Sequence, residues 1–227
     1  MLKTSSSRLG HRHQVFLAEL AGTFIVVALA AGSVVIDVRL GGALGIPFIA
    51  FAPFVGVAIG VFFFGRVSLA VFNPAVLLGY LITGHIKKSD AGHYLAAQLA
   101  GAFAATAFVM AMIGTDANLG ANAPDYAYPL PLIFGIEVLA SGLLMAVILI
   151  TVYYKGLRGF GPLAIGGIVG LDIFFLASIS GASMNPARSL APAVLSGAAG
   201  DLWLYWTATF LGAAIAAVMF RKKFQRS

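Results

Sequence analysis

Long apolar runs alternate with short polar or basic breaks along this chain. Six of them have the length of a membrane-crossing helix, at about 15–36, 42–64, 91–113, 131–153, 162–180 and 202–220. Apolar runs near or above ~18 residues predict transmembrane helices. Two further apolar segments are shorter: Val76 to Gly84, between the second and third spans, and Arg188 to Gly197, between the fifth and sixth. Each follows an Asn-Pro-Ala, at Asn73-Pro74-Ala75 and Asn185-Pro186-Ala187. Asn at an N-cap accepts a bond from a free backbone N–H, and Pro at the first helical position loses only a donor without a partner. Each Asn-Pro-Ala therefore opens a helix, and at 1.5 Å per residue each helix covers roughly 15–18 Å, about half of a ~30 Å hydrocarbon core. Two half-helices that start from the same depth together cross the bilayer.

The pattern also repeats. Phe16-Leu-Ala-Glu19-Leu-Ala-Gly-Thr23 opens the first half and Phe134-Gly-Ile-Glu137-Val-Leu-Ala-Ser141 the second. Each half has three spans, with its Asn-Pro-Ala between the second and third, so one domain over 1–227 contains repeats at about 15–113 and 131–220. Because three is odd, the second copy enters the membrane from the opposite face, which is an inverted repeat. The segments Arg66–Phe72 and Ser180–Met184 are expected to be extended arms reaching the bilayer middle. Irregular backbone at that depth lines water or is covered by protein, so the topology implies an aqueous path.

Composition agrees with this reading: of 227 residues 60% are hydrophobic and 10% charged, too little polar surface for a soluble globule. The fold class is an all-α membrane protein. Outer-membrane barrel strands would show ten-residue alternation instead. There is no cysteine, which excludes disulfides and thiolate metal sites. The first apolar run, about 22 residues from Val15, exceeds the apolar core of a cleaved signal peptide and reads as a retained span. Lys3, Arg8, Arg12, Lys87, Lys88, Lys155, Arg158, Arg221, Lys222, Lys223 and Arg226 all fall on one side of an alternating topology. The positive-inside rule puts that side, with both termini, in the cytoplasm of a multi-pass protein of the cell membrane. The net charge of +6 is thus topological, and its dispersal over four short segments argues against nucleic acid as a partner.

These residues resemble the aquaporin (major intrinsic protein) family over nearly the whole chain. The likeness lies in Ala18-Glu-Leu-Ala-Gly-Thr23, Phe72-Asn-Pro-Ala-Val76, Gly84-His-Ile86, Tyr94-Leu-Ala-Ala-Gln98 with Gly101-Ala102, Pro162-Leu-Ala-Ile-Gly166 and Ser180-Gly-Ala-Ser-Met-Asn-Pro-Ala-Arg-Ser189. It implies six spans and two half-helices meeting head to head at a single-file pore, assembled as a homotetramer of four separate pores in the lipid bilayer. It also implies a selectivity filter at Arg188, Ile173, Ala182 and Pro53, although Phe54 beside Pro53 could line it after a register shift. Glu19 and Glu137 would accept hydrogen bonds from the two arms, with proton transfer as the alternative role of a buried carboxylate. No metal, cofactor or enzymatic activity is implied.

The chemistry of the motifs fits a channel. Asn73 and Asn185 can cap through their side-chain oxygens and turn their NH₂ donors toward passing water. Opposed helix N-termini add roughly half a positive charge each, which repels hydronium and metal ions; this is established logic for this channel class. Arg188 lies one turn outward of Asn185, about 4.5 Å along the helix, where a guanidinium at membrane depth marks a solute path. Its counterpart in the first half is Val76. Ile173 and Ala182 predict a wider, less polar constriction than a strict water pore, whereas Arg188-Ser189 and Tyr205-Trp206 resemble the water-conducting pattern. The expectation is a water channel that also passes ammonia or small neutral solutes, with a glycerol facilitator as the alternative. An ion-coupled transporter with inverted repeats is the rival from another class; a closed structural homologue without permeability is also open. Asp172 pairs with a loop donor or sits in the outer vestibule. His85, His11 and His13 are candidates for pH gating or plain interfacial residues. The first arm departs from the family's pattern at Leu69 and Val71, where the resemblance leads one to expect a small residue and a pore-facing polar group; the departure implies a narrower or drier inner half of the pore, with Arg66 at its mouth.

Overall fold

The computed structural model describes residues 3–224, with side chains from Gly10 to Lys222. Arg226 lies outside the described residues, as do the side chains of Lys3, Arg8 and Lys223. The chain forms α1 (Lys3–Arg39), α2 (Gly45–Ser68), α3 (Pro74–Thr83), α4 (Ala91–Met112), α5 (Leu130–Tyr153), α6 (Gly161–Ser180), α7 (Pro186–Ser196) and α8 (Leu202–Phe224). Six of these helices are long and apolar enough to cross a membrane, and α3 and α7 are the two short ones. No strand is present among the described residues.

Two boundaries differ from those expected. Helix α1 starts at Lys3 rather than near 15 and runs for 37 residues, about 55 Å, well beyond a ~30 Å core. Apolarity marks only the membrane-embedded part of a helix, and the polar turns before Val15 continue it. One of them is anchored: Arg12 binds Asp90, ahead of α4, through Nη2 at 2.7 Å and Nε at 3.1 Å. The arms are also shorter than expected, because Arg66 to Ser68 complete the last turn of α2 and Ser180 ends α6. Only Leu69 to Phe72 and Gly181 to Met184 are irregular.

Close helix crossings bring these elements together, and two of them occupy the same place in each half. A Cβ on Gly101 of α4 would collide with the carbonyl oxygen of Leu20 in α1, and one on Gly212 of α8 with that of Val138 in α5. Small residues let membrane helices pack backbone to backbone where no hydrophobic effect drives them together. A third crossing sets α6 against α2, where Gly166 and Gly170 receive Phe54. The connection after α4 turns left-handed at Ala117, Asn118 and Leu119, with Leu119 buried at its centre. It delivers Asn122 to hydrogen-bonding distance of Arg188 and Gly181.

Replacing Gly101 or Gly212 by alanine is expected to destabilise the protein by about 1–3 kcal/mol through overpacking. Gly92→Ala, where an added Cβ meets nothing within 4 Å, should be neutral or slightly stabilising. Thermal melts of the detergent-solubilised variants compare the three.

Candidate functional site

Both half-helices start as their sequence requires. Asn73 is extended and its Oδ1 accepts from the backbone N–H of Ala75 at 2.8 Å and Val76 at 3.4 Å. Asn185 does the same for Ala187 at 3.0 Å and Arg188 at 3.4 Å. Pro74 and Pro186 follow at the first helical position. The carboxamides then reach across the molecule: Asn73 Nδ2 donates to Met184 O at 2.8 Å, and Asn185 Nδ2 to Phe72 O at 2.9 Å. This crosswise pair ties the start of each half-helix to the arm of the other. It differs from an arrangement with all four amide N–H groups toward the path, since each NH₂ has one hydrogen in the cross bond and one left over.

The arms have the backbone least able to hold itself. Leu69, Ala70 and Phe72 in the first, and Ala182 and Met184 in the second, have positive φ, a region that costs non-glycine residues on the order of 1–3 kcal/mol each. Two buried carboxyl groups supply the missing partners. Glu19 accepts from Ser68 Oγ at 2.6 Å, Val71 N at 3.0 Å, Phe72 N at 2.8 Å and Gln98 Nε2 at 2.8 Å. Glu137 accepts from Ser180 Oγ at 2.8 Å, Ser183 N at 2.9 Å and Met184 N at 3.3 Å. A tyrosine closes each set from the third span of its half: Tyr94 Oη donates to Ser68 O at 2.9 Å and Tyr205 Oη to Ser180 O at 2.8 Å.

The arms, α2, α5 and α6 enclose a narrow central cavity of about 50 Å³, which at ~10–15 Å³ per water holds a short string of about three to five. Asn73, Asn185 and Arg188 line it, as do Pro53, Ile173 and Ala182. Pro53, Val57 and Val61 on α2 face it at successive turns, as do Ile165, Val169 and Ile173 on α6, so it extends at least about 12 Å along the bundle. Phe54 is turned away, packed on Gly170 and ring to ring with Phe51 at 5.6 Å. Val71 lines the cavity, whereas Arg66 is exposed at the end of α2 and Leu69 points outward.

Arg188 is buried, with 8% of its surface exposed, and its Nη1 donates to Asn122 Oδ1. Asn122 is held in turn, donating from Nδ2 to Gly181 O at 2.7 Å and accepting from Ser189 Oγ at 2.8 Å. Ser189 and Ser183 share a further hydrogen bond, and Ser183 Oγ reaches Asn185 O at 3.1 Å. Asn122 has no signal in the sequence; it lies 66 residues from Arg188 and is brought there by the left-handed turn. Asp172, beside Ile173, is buried, and its Oδ2 has no hydrogen-bond partner. His85 follows the C-terminal end of α3, with Nδ1 2.7 Å from Thr83 Oγ1, and burial lowers its pKa below the ordinary 6.5. His11 is exposed on the overhang of α1. No cluster of three metal-ligating side chains occurs among the described residues.

The family model described as Major intrinsic protein matches residues 5–220. A probable aquaporin, NIP7-1, of Arabidopsis thaliana is 32% identical over 92% of this chain and 76% of its own length. Glycerol uptake facilitator protein-like 6 of Lactiplantibacillus plantarum is 36% identical over 91% of this chain and 96% of its own. Aquaporin Z of Rhodopseudomonas palustris is 33% identical over 91% of each chain. Among solved structures, the aquaglyceroporin of Plasmodium falciparum superposes with a TM-score of 0.82 over 95% of this chain and 97% of its own, at 23% identity, a likeness of fold.

Two outcomes follow from this geometry. In Glu137→Gln an NH₂ replaces one acceptor and faces the donors of Ser183 and Met184, so unfolding in micelles should become easier by at least about 1–3 kcal/mol. For His85, the folded protein binds fewer protons than the unfolded chain between its lowered pKa and 6.5. Its contribution is therefore present above about pH 6.5 and is lost as the pH falls below that value. Melting temperatures from pH 8 to 5 should drop less steeply for His85→Gln than for the parent.

Proposed function

The chain belongs to the major intrinsic protein family, the membrane channels for water or small solutes such as glycerol, and from that premise we propose a passive water channel that also passes ammonia. The observation that carries the proposal is the composition of the central cavity. Its wall is apolar apart from the ends of two half-helices, Ser183 and a single guanidinium, so a water meets few partners and leaves them readily. The N-termini of α3 and α7, each worth roughly half a positive charge, oppose hydronium and metal ions at Asn73 and Asn185. Arg188, held by Asn122, adds a full positive charge to the same barrier. Pro53, Ile173 and Ala182 complete the filter around it, and Ile173 leaves that filter without the second polar side chain that would favour water alone.

The two halves, about 15–113 and 131–220, act as inverted repeats of one channel domain. The matching hydrogen-bond patterns of Glu19 and Glu137, of Tyr94 and Tyr205, and of Asn73 and Asn185 support this. The distribution of Lys and Arg supports cytoplasmic termini in the cell membrane. The resemblance to the family supports a homotetramer with one pore per subunit. A glycerol facilitator is the second reading, favoured by the same apolar wall and by the glycerol named for the L. plantarum relative. An ion-coupled carrier needs titratable or ion-coordinating groups along the path; Arg188 is the one charged lining residue among those described.

Reconstituted variants distinguish these readings. Ile173→His adds bulk and a polar group at the constriction and should lower ammonia and glycerol flux about tenfold more than water flux, within the range by which pocket size discriminates. Arg188→Ala should raise glycerol flux relative to water. Stopped-flow permeabilities of proteoliposomes measure both ratios; an unchanged ratio in Ile173→His would place the constriction elsewhere.

A further inference from the structure

A second cavity, larger than the central one at about 550 Å³, opens between α5 and α8 away from the solute path. Its lining is apolar throughout. Gly142 and Gly212 lie at its floor, where the two backbones meet; a Cβ on Gly142 would stand 3.5 Å from the Gly212 oxygen. Exposed Leu143, Ile150, Ile215 and Met219 form its walls. On α5 it runs from Val138 to Ile150, a rise of about 18 Å, close to the ~15 Å that one leaflet contributes to the hydrocarbon core.

The groove leads to a group of cations. At the Ile150 and Phe220 end, Tyr153 stands edge-on to Phe220 with ring centroids 5.5 Å apart, at the level where aromatic rings mark the membrane interface. Arg221 and Lys222 follow directly and are exposed. Arg221 spends one N–H group, on Nη1, on Ile82 O at 3.3 Å, which leaves the rest of its guanidinium open. Arg158, exposed after α5, folds back onto the same end of that helix, donating to Val152 O at 3.3 Å. The ion pairs among the described residues are Arg12 with Asp90 and Arg39 with Asp116, so no described carboxylate pairs with these cations.

We propose that the groove binds one acyl chain of an anionic phospholipid, whose phosphate is held by Arg221 and Lys222 with Arg158 at the rim. An apolar trough one leaflet long, ending in unneutralised cations at interface depth, matches the two ends of such a lipid. A second copy of the chain fits less well. Inserted in the same orientation it would bring its own basic end to the same level, and Asp90, the acidic residue nearest that side in sequence, is already taken by Arg12.

Native mass spectrometry of the full-length detergent-purified protein, titrated separately with phosphatidylglycerol and phosphatidylcholine of identical acyl chains, tests the site. Phosphatidylglycerol should bind more tightly by about tenfold or more, since each cation near the surface contributes about fivefold. The double variant Arg221→Gln/Lys222→Gln should abolish that preference. Ala216→Phe, which fills the groove, should weaken binding of both lipids; if it fails to fold, the charge variant alone decides. Equal binding of the two lipids by the parent protein, or a preference that survives in the charge variant, would overturn the proposal. So would a change in subunit number in Ala216→Phe, which would identify the groove as a contact between copies.

Discussion

A chain that places irregular backbone at the middle of a membrane has to bond that backbone internally, because no water is there to do it. Glu19 and Glu137 meet this constraint. Each gathers the N–H groups of one arm together with the serine that ends the preceding helix, and a tyrosine takes that serine's carbonyl from the other side. The arms can then hold positive φ at non-glycine residues, and their ends present Asn73 and Asn185 to each other. Hydrogen bonds to a buried carboxyl group are worth more than neutral ones, at about 1.5–3 kcal/mol each, and several per arm offset the backbone cost.

The two halves are alike in this scaffold and unlike at the path. Gln98 adds a fourth donor to Glu19, whereas in the second half Glu137 relies on its arm and Ser180 alone. Arg188 has Val76 as its counterpart, so the first half contributes an aliphatic wall where the second contributes a charge. The result is a cavity polar at its middle and at the Arg188 end, and apolar at the other. The proposed channel concentrates its solute discrimination around Arg188, which is held by Asn122, itself bonded to Ser189.

Much of the fold is legible in the sequence because membrane helices announce themselves by length and apolarity, and because Asn followed by Pro is a helix start with a local cause. The two short helices start at the expected proline for that reason. What is not local is not legible. The overhang of α1 is polar and continues the helix with no apolar signal. The arms lose Arg66–Ser68 to α2 because nothing there stops the helix before Leu69, whose φ of 65° ends it. Asn122 reaches Arg188 only through a left-handed turn, and Pro53 rather than Phe54 faces the cavity because Phe54 is received by the glycines of α6. Such facts of packing depend on the partner helix and have no signature in either segment alone.

In the proposed channel, water crosses through the cavity at Asn73 and Asn185 while protons do not. Osmotic shrinkage and proton leak recorded on the same proteoliposomes test it directly. Such a channel gives shrinkage much faster than that of empty vesicles, with no saturation, and a proton leak no greater than theirs. Shrinkage no faster than empty vesicles, or flux that saturates and follows a proton gradient, would contradict it.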